Sequence, residues 1–276
     1  MNPQIRYSFA LPNTMPHKLL HEDLTYYLRG VAFLIHSELK SGHKEEFYEK
    51  AYIWVLDRDG VAFRQQPVYK MDYEGHQVGE YRPDLVIESN KLLIDFKSTP
   101  KIIALHKAQM LSYLAVTEID LGLIMNFGSS SMQFERIPNF VRERDPFEWT
   151  PQPVTDGSYP ELRNAIALAV YKVHYTLGAG FLSQVYRRAT YIELGRQGVS
   201  FEYLTSLPLS FDGNTIAEVH TNLFWIDKKI LLATFALQSI PAHVSEKMRW
   251  AMKVTDCQIG MLVNFYPSKL EIRVLR

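Results

Sequence analysis

Apolar and polar positions alternate along this chain in two periods, and the switches between them come in the same order in each half. From Asp23 onward, Leu24, Leu28, Val31, Ala32 and Ile35 recur at helical spacing, which predicts a helix over about 24–39 with Asp23 as its cap. Gly42 breaks that pattern, and a second helix over about 44–57 ends at Asp59-Gly60. Branched and aromatic residues then predict strands over about 61–70 and 77–88 around a Glu74-Gly75 turn, with a third over 91–98. After Pro100 come a helix over about 103–116, a fully apolar strand from Leu121 to Phe127 and a last strand over about 132–137. Two helices, a three-strand meander, a helix and two more strands describe a mixed α/β sandwich.

The pattern recurs because the chain is duplicated. Sliding the sequence on itself by 138 residues aligns Gly42-x-x-Glu45-x-x-Tyr48 with Gly180-x-x-Ser183-x-x-Tyr186, and Gly122-x-x-x-Asn126-Phe127 with Gly260-x-x-x-Asn264-Phe265. Without a gap, 42–128 against 180–266 gives 21 identities in 87 pairs, where average composition gives roughly one in sixteen. The chain therefore divides into a first domain over 1–138, a connection over 139–160 that carries four prolines and follows directly on Pro138, and a second domain over 161–276.

Composition narrows the function classes. With 276 residues and 47% hydrophobic content the chain can bury two substantial cores. It has no run of eighteen apolar residues, and its start, Met1 to Arg6, lacks the apolar stretch of a signal peptide, so a cytoplasmic location is expected. The single cysteine, Cys257, excludes an internal disulfide and reads as a small buried hydrophobe. Net charge is zero, so nucleic-acid binding has to rest on a local patch rather than on a basic chain.

The chemistry gathers on Tyr81-Arg-Pro-Asp84-Leu-Val-Ile-Glu-Ser-Asn-Lys-Leu-Leu-Ile-Asp95-Phe-Lys97. Ser89-Asn90 is a turn signal between two strand-like runs, and counting back from it sets Asp84 opposite Asp95. Like charges across a strand pair repel, so that register calls for a cation or a proton between them. Strand alternation sends Asp95 and Lys97 to one face and Phe96 to the other. On the second helix Glu45, Tyr48 and Glu49 share a face, offering Glu45 as a third carboxylate. On the third, His106, Gln109 and Tyr113 form a polar stripe opposite an apolar one. No HxH or HxxxH pair favours zinc, and an oxygen-rich site beside a lysine suits Mg²⁺ or Mn²⁺.

The second repeat supplies an internal control. Glu45, Asp84, Asp95, Lys97, Gln109 and Tyr113 become Ser183, Asn222, Ala233, Phe235, Lys247 and Ala251, while the glycines, the Tyr48/Tyr186 pair and the Asn-Phe strand ends persist. A clustered site lost as a unit explains this, since grouped carboxylates are a liability once one partner is missing. The second half also turns apolar where the first carries its site, which marks it as a packing or docking body.

These residues resemble a known family. His36-x-Glu38-Leu39, Gly42-x-x-Glu45-x-x-Tyr48, Arg82-Pro83-Asp84, Asp95-x-Lys97, Gln109-x-x-x-Tyr113 and Gly122-Leu-Ile-Met-Asn-Phe-Gly128 look like the GxxExxY family of the PD-(D/E)XK nuclease superfamily, over about residues 20–137. The resemblance implies two restriction-endonuclease-like domains, the second a degenerate pseudo-nuclease. It further implies Mg²⁺ or Mn²⁺ held by Glu45, Asp84 and Asp95, with Lys97 near the attacking water and Gln109 and Tyr113 positioning substrate or acids. The function expected is metal-dependent hydrolysis of nucleic-acid phosphodiesters, DNA ahead of RNA, in the first half. A protein partner or self-association is a further expectation, and no membrane is involved. The rival is a non-catalytic interaction or nucleic-acid-binding module on the same fold.

Overall fold

The computed structural model describes residues 20–139, 146–154 and 158–276. The chain's first residues, read above for a signal peptide, and parts of the proline-rich connection lie outside the described residues. Two compact units are formed, one from residues 1–68 with 82–144 and the other from 69–81 with 145–276. They do not follow the two repeats residue for residue, because the hairpin over 69–81 is first-repeat sequence that packs in the second unit.

In the first unit, α1 (Glu22–Leu39) and α2 (Glu45–Arg58) cover one face of a five-stranded sheet. Its order is β1 (Phe63–Gln65), β4 (Leu85–Ile87), β5 (Leu92–Lys97), β6 (Leu121–Asn126) and β7 (Gln133–Pro138). Only β5 and β6 run parallel, joined over the sheet by α3 (Ala104–Thr117). Leu28, Ile35, Tyr48, Tyr52, Ile94 and Phe96 meet in the α1–α2 core. Each such fully buried apolar side chain stabilises by about 1.5–3 kcal/mol. On the other face Met110 of α3 sits where a Cβ of Gly122 would have to go, and Met248 repeats this against Gly260 in the second unit. Helix α1 begins a little earlier than its periodicity suggests, from a left-handed His21 without a side-chain cap, and Asp23 lies inside its first turn instead of capping it.

The second unit repeats the plan with α4 (Pro160–Leu177), α5 (Ser183–Arg196), β8 (Phe201–Phe211), β9 (Asn214–Ile226), β10 (Ile230–Phe235), α6 (Ala242–Thr255), β11 (Ile259–Asn264) and β12 (Glu271–Leu275). Its sheet runs β12-β11-β10-β9-β8, again with one parallel pair, β10 and β11.

The two repeats differ most in the long ribbon. In the second, β8 and β9 pair along eleven and thirteen residues through a bulge near Asn222. In the first, the strands expected over 61–70 and 77–88 each break in two, giving β1 and β4 in the large sheet and a separate hairpin, β2 (Tyr69–Tyr73) with β3 (His76–Tyr81). Pro67 and Pro83 are the reason. Proline has no N–H for the ladder, and beside Pro67 the strand also turns out of line at Gln66, which takes a left-handed φ of 43°. The equivalent residues, Thr205 and Thr221, impose no break.

The framework shared by both repeats has a physical account. Tyr48 stacks on Phe127 at 4.6 Å and donates its hydroxyl to Lys40 C=O at 2.7 Å; Tyr186 stacks on Phe265 at 4.5 Å and donates to Gly178 C=O at 2.8 Å. Each tyrosine thereby closes the loop whose glycine, Gly42 or Gly180, sits at a φ of 107° or 108°. Asn126 Oδ1 accepts from Thr99 N–H at 2.9 Å and its Nδ2 donates to Thr99 C=O at 2.8 Å, and Asn264 holds Leu237 in the same way at 3.0 and 2.8 Å. These residues tie down the segment that leaves the strand carrying Asp95 and Lys97 in the first repeat.

Candidate active site

The site is built at one end of β5. Turn residues 88–91 set the register of β4 on β5, with Leu85 opposite Ile94, Val86 opposite Leu93 and Ile87 opposite Leu92. Three consecutive left-handed residues, Glu88, Ser89 and Asn90, make that reversal. The turn is longer than the two-residue loop read from the sequence, yet the register is unchanged. Continued by one residue it brings Asp84 to Asp95, and Asp84 Oδ2 accepts a hydrogen bond from Phe96 N–H at 2.7 Å. Gln66 N–H donates to Asp84 C=O at 2.9 Å, fixing the backbone just after the Pro83 break.

Alternation along β5 acts as expected. Phe96 enters the core under α1 and α2, while Asp95, 7% exposed, shares the opposite side with Lys97. Lys97 Nζ lies 2.5 Å from Asp95 Oδ2. This buried oxygen is held by the Lys97 ammonium, with no other donor to it among the described residues. Glu45, the first residue of α2, falls within electrostatic range of Lys97 and Asp95.

Burial dominates the electrostatics of the acids. It raises the Asp84 carboxyl to about 8, helped by the Asp95 charge and opposed by the Phe96 N–H and by Lys97. Burial likewise raises Asp95 against the pull of Lys97. Glu45 is raised by burial and by Asp95, against Lys97 and the Ser98 N–H. For Lys97 burial works against the ammonium, but Asp95, Glu45 and Asp84 outweigh it and its pKa rises. Three carboxyls short of positive charge thus surround one lysine.

Two residues left out of the sequence-based site belong beside it. His106, at the start of α3, is lowered by burial and by Lys97, with Asp95 opposing, so its ring is held neutral near pH 7. Glu49, one turn beyond Glu45, is 9% exposed, accepts from Gln65 Nε2 at 2.9 Å and adds to the charge that raises Glu45. The signal was present: the second repeat has Val244 and Arg187 at these positions. Gln109 and Tyr113 form their own pair further along α3, the Gln109 amide donating to the buried Tyr113 hydroxyl.

The second repeat has rebuilt the same place without charge. Ser183 Oγ accepts from Ala236 N–H at 2.9 Å at the position of Glu45. The ladder matches Leu85 with Phe224, so Leu223 takes the place of Asp84, and the sequence-aligned Asn222 sits in the bulge at a φ of 55°, accepting from the Tyr203 hydroxyl at 3.1 Å. Ala233 and Phe235 pack in an apolar cluster, and Lys247 Nζ donates to His220 C=O at 2.6 Å.

A divalent cation can be tested against this geometry. Three hard oxygen donors, one of them a buried oxygen whose charge is met by the Lys97 ammonium alone, are the chemistry such an ion takes. Among the described residues, however, no group of three histidine, cysteine or acidic side chains is drawn together as a ready cage. The donors fit the ion, and their side chains would have to close on it.

A sequence model of the PD-(D/E)XK nuclease superfamily matches the chain twice, over residues 22–137 and 160–275, two spans offset by the same 138 residues as the internal repeat. No curated protein matches the chain. Among solved structures, one described as the crystal structure of SSO0001 is similar, with 12% identity, 57% of this chain and 97% of that one covered, and a TM-score of 0.27. No helix among the described residues is long and apolar enough to cross a membrane. Matched over most of its length by one superfamily, and carrying two sheet-and-helix halves of one plan, the chain belongs to the PD-(D/E)XK nuclease superfamily.

Proposed function

We propose that the protein is a divalent-metal-dependent nuclease of the GxxExxY type that hydrolyses phosphodiester bonds in nucleic acid, DNA ahead of RNA, from the first repeat. The observation that carries this reading is the convergence of Asp84, Asp95, Glu45 and Lys97 at one end of β5, with all three acids raised in pKa and all four absent from the second repeat. Such stacking of like charge costs stability and is kept where chemistry uses it. The motif set Gly42-x-x-Glu45-x-x-Tyr48 and Gln109-x-x-x-Tyr113 supports the family placement.

Asp84, Asp95 and Glu45 would hold Mg²⁺ or Mn²⁺. When bound, the ion supplies Lewis-acid polarisation of the scissile phosphate and a water nucleophilic at neutral pH. Lys97, kept charged by the acids around it, offsets negative charge that grows on the phosphate and orients the attacking water. His106, held neutral, offers a ring nitrogen that can accept a proton at the same edge. Gln109 and Tyr113 lock each other's side chains and position substrate along α3. The second repeat, a pseudo-nuclease, serves as a structural and substrate-holding body. A cytoplasmic location suits an unpaired cysteine, Cys257, buried in its core.

Cleavage of labelled single- and double-stranded DNA and RNA with Mn²⁺ tests this directly. Wild type should cut, and Asp95→Asn and Lys97→Ala should each lose at least about 100-fold, as when charge stabilisation is removed. The second reading, a non-catalytic nuclease-fold module, draws on the absence of a closed three-ligand cage among the described residues. Binding of nucleic acid with no metal-dependent cleavage, unchanged in Asp95→Asn, would select it.

A further inference from the structure

Within the second unit, the β2–β3 arm of the first repeat is seated on α5. Met71, Tyr73 and Val78 are buried in that contact. Gly79 approaches so closely that a Cβ would stand 2.7 Å from Val185 Cγ2. Arg188 Nη1 donates to Val78 C=O at 3.3 Å, and Tyr73 donates its hydroxyl to Glu193 at 2.8 Å. Glu74 pairs with Arg196, and Lys172 Nζ on α4 reaches it at 3.6 Å.

Both halves of this contact exist a second time, and among the described residues neither is joined to a counterpart. The distal ends of β8 and β9 are the same arm, with Leu209, Phe211 and Ile216 where the first has Met71, Tyr73 and Val78. Phe211 is 75% and Ile216 63% exposed. The face equivalent to that of α4–α5 carries Leu34, Phe47 and Trp54, at the positions of Lys172, Val185 and Ile192, and these are 45%, 46% and 63% exposed. Exposed aromatics on two such surfaces of one molecule mark binding faces.

We propose that the β8–β9 arm of one molecule seats on the α1–α2 face of a second copy of this chain. The contact that the β2–β3 arm makes with α5 is then repeated between molecules. The substitutions on the two sides are matched. Where Tyr73 meets Glu193, the free arm has Phe211, and the matching Val55 is packed in the first unit's core, so the face holds no carboxylate there waiting for a hydroxyl. Where Glu74 meets Arg196, Asp212 faces Arg58, keeping both signs. Lys50 stands where Arg188 donates to the arm's backbone. Ala217 with Phe47 is bulkier than Gly79 with Val185, and the contact opens there. Each molecule offers one arm and one face, and the assembly proposed is the reciprocal one, in which two molecules exchange arms and leave no open end.

Light scattering on the full chain after size exclusion should give twice the 32.0 kDa monomer mass. Trp54→Asp and Phe211→Asp should each run as monomers with unchanged circular dichroism, and Trp54→Ala serves as the gentler variant. Mixed in equal amounts, the two Asp variants should regain dimer, since the arm of one still fits the face of the other. A monomeric wild type into the high micromolar range overturns the proposal, whether Trp54 is open to quencher or covered by its own chain's arm. So does a dimer that survives both substitutions, or a mixture that stays monomeric.

Discussion

Replacing Asp84 by asparagine should make the protein more stable above neutrality, and by an amount that grows with pH. In the folded chain the Asp84 carboxyl titrates at about 8 because it is buried beside Asp95, whereas an unfolded aspartate titrates near 3.9. Between those values the folded state holds a proton that the unfolded state has released, so stability falls as pH rises, by up to about 1.4 kcal/mol per pH unit. The favourable contribution is complete below pH 4 and lost as pH passes through about 8. Water and side-chain relaxation reduce the slope, and a net effect of about 2–3 kcal/mol between pH 5 and 8 is expected. Asparagine keeps an oxygen for the Phe96 N–H, bonded at 2.7 Å, and carries no proton to lose. Urea unfolding at a series of pH values without divalent ions measures this directly. Asp84→Asn should have the flatter profile and the greater stability at pH 8. A variant equally or less stable than wild type at pH 8 would refute the reasoning, because Asp84 would then be a comfortably ionised group.

Other outcomes follow from the same geometry. Calorimetry with Mn²⁺ should show binding that strengthens with pH and releases protons below pH 8, lost in Asp84→Asn and unchanged in a second-repeat variant such as Asn222→Ala. Asn126→Ala should cost roughly 1–3 kcal/mol, since it removes the buried amide that holds the half-buried N–H and C=O of Thr99; urea midpoints of wild type and variant give the value. Ser89→Gly should stabilise by roughly 0.5–1 kcal/mol, read as a higher melting temperature, because Ser89 holds a φ of 53° that glycine adopts freely.

Much of this architecture is legible in the sequence where local chemistry fixes it. The turn at Ser89-Asn90 sets a register, and a register on a two-period strand decides which residues face one another; Asp84 and Asp95 could be paired without coordinates. The duplication separates Tyr48 and Asn126, kept in both repeats and seen to tie down loops, from Asp95 and Lys97, which only the first repeat carries. The ribbon was harder. Apolar alternation runs straight through Pro67 and Pro83, and the backbone break they impose outweighs it. Alternation also shows that Met71, Tyr73 and Val78 will be buried but not by what, and the partner proved to be a helix more than a hundred residues away. Glu49 and His106 were passed over because a lone acid or histidine on a helix reads as surface until burial beside other charges is seen.

The interrupted ribbon also bears on how the two copies can be inherited. The chain leaves the first unit after Val68 and re-enters it at Arg82, two residues before Asp84, so the second unit is joined to the first at these crossings as well as along the 139–160 connection. A gene split between the repeats would yield a first product whose Met71, Tyr73 and Val78 had lost their cover, and a second whose α5 was bare. The fold of the first repeat's arm thereby depends on Val185 and Glu193 of the second repeat, so a substitution at either is felt in first-repeat sequence.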